Sequence, residues 1–175
     1  MINVESLIQL KAFARQDGAM LSLLWIASFA AMVLAPQSFM GNLLAIATPF
    51  FTIWRLGKFR DYALDGAVSF RRGYVYSVYT FFYAAIIFAI TQYVYFKFLD
   101  SGHFTGILSQ TMTALEPAYE QSGVSKEEIT NTIKIMKEMT PIQWAFIFMI
   151  QNLFIGFIAS VPIAAVCMRN AKKNK

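Results

Sequence analysis

The sequence predicts an all-α integral membrane protein: a four-helix bundle with an amphipathic N-terminal helix and a two-helix exported loop. Three observations predict it. Of 175 residues, 57% are apolar and only 14% charged, whereas a soluble domain carries about 25% charged residues. Mean hydropathy is +0.50. No charge falls between Asp17 and Arg55, between Arg72 and Lys97, or between Glu138 and Arg169. A helix needs roughly 20 apolar residues to span a bilayer, so the first run holds two short spans and the others one each.

Met1 to Asp17 reads as a short amphipathic helix, with Val4, Leu7, Ile8, Leu10 and Phe13 apolar and Glu5, Gln9, Lys11 and Arg15 polar. Gly18 separates it from a first span over about 19–35. A cleaved signal peptide competes for this stretch, but the start is not distinctly basic and a second span follows at once. Pro36, Gly41 and Asn42 supply turn chemistry, and the chain returns over about 39–56 with Pro49 bending that helix. The third span covers about 73–97, marked by Tyr74 and Tyr76 at one end and Tyr93 and Tyr95 at the other. The fourth covers about 142–167, with Trp144 near its outer end.

Orientation follows from Lys and Arg placement. Eleven of the 15 Lys and Arg residues lie before span one, between spans two and three, or after span four. The other four, Lys97, Lys126, Lys134 and Lys137, share their side with six acids. Both termini are therefore expected in the cytoplasm and the 101–141 segment outside. In that segment Ser125 and Glu128 form a capping box, Ile129, Ile133 and Met136 make an apolar stripe, and Pro117 kinks a preceding helix over about 104–121.

The basic residues cluster beside membrane ends, which points to lipid and away from nucleic acid. Between spans two and three, Lys58, Arg60, Asp61, Asp65, Arg71 and Arg72 form the most patterned stretch. Arg60 and Asp61 are sequence neighbours and are expected to point apart. Asp61 and Asp65 are expected to share a helix face and to pair with the surrounding bases. Gly66 ends the second helix, Ser69 caps the third, and Arg71 and Arg72 are left for anionic headgroups.

Within the spans no Asp, Glu, Lys, Arg or His is predicted at bilayer depth, which weakens a pump or coupled-transporter reading. Asn152, Gly156, Ser160 and Ala164 recur every four residues as a helix-packing stripe, and Ala27, Ala31 and Ala35 do the same in span one. Gln92, Gln151 and Asn152 are the polar residues that a channel would use. Cys167 is the only cysteine and is read as a small apolar residue at a helix end. Asp100, Ser101 and His103 are too close in sequence to be read as a triad. Neither metal cluster nor phosphate loop is found, so no cofactor and no enzymatic activity are expected.

Three stretches carry a family resemblance: Phe59-Arg60-Asp61 with Gly66, Ser69 and Phe70; Gly123-Val-Ser125-Lys-Glu-Glu-Ile129; and Ile155-Gly156-Phe with Ser160 before a Lys-rich end. In their order and spacing, over nearly the whole chain, the sequence resembles a bacterial family of small four-span inner-membrane proteins, domain of unknown function 4199. The resemblance implies a bundle in a bacterial inner membrane and supplies no activity. The expected role is a membrane subunit or scaffold that associates with other membrane proteins or forms a homo-oligomer. The alternative is a small channel or transporter. Reporter fusions test the topology: signals at Lys175 and in the Arg60 loop should be cytoplasmic and the signal at Glu120 external. A cytoplasmic signal at Glu120 overturns the span map.

Overall fold

The computed structural model describes residues 4–35 and 37–169. Pro36 and the C-terminal Lys172, Lys173 and Lys175 lie outside the described residues. Among the described residues the elements are α1 (Val4–Leu34), α2 (Met40–Ala63), α3 (Phe70–Phe98), α4 (His103–Ala114), α5 (Glu116–Gln121), α6 (Lys126–Glu138) and α7 (Pro141–Cys167). Three of these, α1, α3 and α7, are long and apolar enough to cross a membrane. The protein is an all-α membrane protein. Its chain forms two compact units, Met1–Ala89 with Phe148–Lys175, and Ile90–Ile147.

The first unit is a four-helix bundle. Helices α1 and α2 form an antiparallel hairpin: Ser28 donates to the Gly41 carbonyl at 2.7 Å, Trp25 Nε1 to Thr48 Oγ1 at 3.0 Å, and Arg55 reaches Asp17. Helix α3 runs parallel to α1, with Trp25 and Phe29 set edge-on to Phe88 at 5.7 and 5.8 Å. Helix α7 returns along α3. Gly156 lies against Phe81, and Gly73 faces Ala164.

Helix α1 departs from the sequence expectation in two ways. The helix runs unbroken through Gly18, with Asp17 and Gly18 in its middle and both buried. Gly18 marks a close approach instead of a hinge: a Cβ there would stand 2.7 Å from Tyr83 Cβ and 2.8 Å from the Thr80 carbonyl. The packing face is Leu10, Ala14, Gly18, Leu21, Trp25 and Ser28. Ala27 and Ala35 are exposed, so the alanine stripe is not that face. Helices come closest where a side chain is absent altogether, and a bulky Trp25 then fills the wider gap.

The second unit contains the helices between the spans. Asp100 is buried, and its carboxylate accepts the Phe104 amide at 2.8 Å, which caps α4. Phe104 packs edge-on to Trp144 at 5.1 Å and against Phe96 at 5.3 Å. The expected kinked helix over 104–121 is instead two helices, α4 and α5, joined at Leu115. Pro117 has no N–H to continue α4, and it sits in the first turn of α5 where none is needed. The Ser125–Glu128 capping box forms as expected. The backbone amide of Ser125, then its hydroxyl, holds the Glu128 carboxyl below the usual carboxylate range.

One substitution at two helix-interior glycines should act with opposite sign. Gly18→Ala forces a clash with the α3 backbone and should cost about 1–3 kcal/mol. A Cβ at Gly57 would meet nothing within 4 Å, so Gly57→Ala should gain about 0.5–1 kcal/mol from lower backbone entropy. Thermal unfolding in detergent reads both, and equal effects would refute the close approach.

Candidate functional site

The buried polar centre of the first unit lies where α1, α2 and α3 meet. Asp17 is 1% exposed. Arg55 of α2 donates from Nε to its Oδ1 at 2.7 Å and completes an ion pair through Nη2. The Tyr76 hydroxyl of α3 donates to the other carboxylate oxygen. One carboxylate thus accepts from two different helices, the arrangement that a buried charge requires. Phe59 stacks on the Tyr76 ring at 4.7 Å and meets Phe13 at 5.2 Å, closing apolar surface around the centre. Thr80 and Ser77 bond back to the Tyr76 and Gly73 carbonyls.

Sequence reasoning did not find this group. Read from sequence, Asp17 ends a surface helix and Arg55 is one of several bases beside the membrane. The available signal is that the 37-residue charge-free run is bounded by an acid at one end and a base at the other. Folding the run into a hairpin brings those two ends level. Tyr76 gives no such signal, because its role depends on α3 lying against α1.

The charged end of the bundle gathers the patterned loop. Arg60 and Asp61 do pair, against expectation, through bonds of 2.7 and 3.0 Å. The pairing holds the Asp61 carboxyl below the usual carboxylate range. Arg60 also donates from Nη1 to the Cys167 carbonyl at the end of α7 at 3.2 Å. Asp65 does not share a face with Asp61, because α2 ends at Ala63 and Asp65 turns into a left-handed conformation at φ +50° before Gly66. Ser69 caps α3, accepting from the Arg72 amide at 3.4 Å. Val68 and Arg169 exchange two backbone hydrogen bonds of 3.0 and 2.9 Å, tying this loop to the chain beyond α7. Lys58 lies over the Trp54 ring, Arg72 reaches Gln9, and Arg71 is exposed.

Of the stripe on α7, Gly156, Ser160 and Ala164 are buried and Asn152 is half-buried. A Cβ at Gly156 would stand 2.6 Å from Phe81 Cβ, so the stripe turns toward α3. Cys167 is buried, with Sγ 3.5 Å from the Ile53 carbonyl. Gln151 and Asn152 do not share a face of α7. Gln151 is exposed on the opposite side of α7 from the stripe, while Gln92 is buried in the second unit. His103 is exposed.

A family model described as "Protein of unknown function (DUF4199)" matches residues 16–169. The chain belongs to this family. No curated protein and no solved structure matches it. The region matched in this DUF4199 chain takes in the Asp17 centre, the Arg60 contacts and the Val68–Arg169 bridge.

Removing one member of the buried pair should be costly. Asp17→Ala leaves Arg55 without a counter-charge and should lower stability by about 3–5 kcal/mol. Asp17→Leu combined with Arg55→Met should recover most of that loss, since apolar replacement of a whole buried pair is often close to neutral. Thermal unfolding of the single and paired variants in detergent checks this. Additive losses would mean that the two residues do not act as a unit.

Proposed function

We propose that this DUF4199 protein is a non-enzymatic subunit or scaffold of the bacterial cytoplasmic membrane, associating with other membrane proteins or with itself. In this reading α2 is a fourth span, both termini are cytoplasmic, and the 101–141 segment is external. The hairpin contacts support the fourth span: α2 keeps level with α1 from Ser28 to Asp17. A membrane crossed by that part of α1 is crossed by α2 as well.

One observation carries the association reading. Only 17% of the most apolar window of α7 is buried, and Gln151 is exposed on that helix beside Phe154 and Ile158. It makes no hydrogen bond among the described residues. An amide turned toward hydrocarbon is costly without a hydrogen-bond partner, and a neighbouring helix supplies one. The acids most suggestive of chemistry are engaged structurally, Asp17 by Arg55 and Tyr76 and Asp100 by an α4 amide.

A second observation favours the channel or transporter alternative. The Gln92 side-chain oxygen is buried and has no partner among the described residues. Cross-linking in the membrane followed by mass spectrometry separates the two. The scaffold reading expects a partner or homo-oligomer whose association weakens by about 0.6–2 kcal/mol in Gln151→Leu, with the unfolding temperature unchanged. A monomer without partners overturns it. The transport reading expects Gln92→Leu to abolish a flux while association is unaffected.

A further inference from the structure

At the charged end of the first unit, a recess of about 580 Å³ opens between the first turns of α1 and the residues joining α2 to α3. Glu5, Gln9, Leu64, Asp65 and Arg72 line it. Neither Glu5 nor Asp65 has a hydrogen-bond or ion-pair partner among the described residues. Arg72 gives one N–H to Gln9 Oε1 at 3.2 Å, and its buried Nε finds no partner among the described residues. A guanidinium carries five N–H donors, and leaving a charged donor buried without an acceptor is costly. The guanidinium also lies over the Phe59 ring, and the recess presents its remaining edge together with two carboxylates that have no ion-pair partner among the described residues.

That mixture of signs restricts the ligand. A purely anionic group placed at Arg72 meets Glu5 and Asp65, and a simple cation placed at the acids meets Arg72. A ligand with a phosphate and an amine a few bonds apart satisfies both. A primary ammonium has three N–H donors for the two carboxylates, which a trimethylated amine lacks. The position is also suitable: the charge-free run of α3 begins at Gly73, directly after Arg72, so the recess sits where apolar helix gives way to polar chain.

We propose that this recess binds a phosphoethanolamine group, with its phosphate at Arg72 and its ammonium at Glu5 and Asp65. A zwitterionic phospholipid headgroup is one source and a soluble phosphoethanolamine ester the other. The assignment separates the two neighbouring arginines: Arg71 is exposed, and Arg72 alone lines the recess. It goes beyond the scaffold reading and does not depend on it.

Native mass spectrometry of the full chain in mild detergent tests this, with phosphatidylethanolamine, phosphatidylcholine and phosphatidylglycerol added in turn. Phosphatidylethanolamine should be retained about tenfold better than the other two, the size of one charge-assisted hydrogen bond. Arg72→Gln should weaken retention of all three, since each carries the phosphate, and Asp65→Asn should remove the preference for the primary ammonium. Asp65→Asn guards against misfolding, since Asn tolerates the left-handed backbone there. Binding of soluble glycerophosphoethanolamine as tight as that of the lipid assigns the recess to the free compound; binding of the lipid alone assigns it to the headgroup. Equal retention of all three lipids, a preference unchanged in Asp65→Asn, or retention unchanged in Arg72→Gln overturns the proposal.

Discussion

The carboxylate of Asp17 sits inside the bundle, and a buried charge is tolerated only where partners reach it. Arg55 and Tyr76 reach it from two other helices, so a single side chain ties α1, α2 and α3 together. The tie also fixes register. With 3.6 residues per turn, sliding or turning any of the three helices by one residue swings its group away by about 100°. Such a slip would leave a charge unpaired, so the three-way contact selects one arrangement among many that apolar packing alone would accept.

The rest of the first unit is arranged around that constraint. In lipid the helices gain little by hiding apolar surface from their surroundings, so close backbone approach and polar contacts do more of the work. Gly18 brings α1 against α3 beside the ion pair, Gly41 brings α2 against α1, and Gly156 seats α7 on Phe81. The Phe59–Tyr76 stack holds the phenol ring in line with Asp17. At the charged end, Arg60 reaches the Cys167 carbonyl that ends α7, and the Val68–Arg169 bridge closes the loop onto the same helix end. The second unit relies on different means: a buried Asp100 cap, an aromatic cluster around Trp144, and the Ser125–Glu128 capping box.

Much of this was legible in the residues. The long charge-free runs locate the helices, because few other features of a chain produce more than 20 residues without a charge. The capping box was readable because its two side chains satisfy backbone groups three residues apart, a purely local matter. The buried centre was not readable in the same way. Asp17 resembles a surface residue in its neighbours Arg15, Gln16 and Gly18, and nothing local reveals that Arg55 lies beside it. Likewise, adjacency suggests that Arg60 and Asp61 point apart, yet a flexible guanidinium stem reaches an adjacent carboxylate and a distant carbonyl together.

By itself the sequence determined the class and the approximate extent of the long apolar helical runs, since hydropathy acts within a few residues. Tertiary structure alone decided which faces of those helices meet. It set Gly18 as a contact instead of a break, turned the α7 stripe toward Phe81 and Gln151 away from it, and gathered Glu5, Asp65 and Arg72 around one recess. The reason is physical. The facing of a helix depends on which partner removes its least tolerable group, here the Asp17 carboxylate, and that partner is 38 residues distant in the chain.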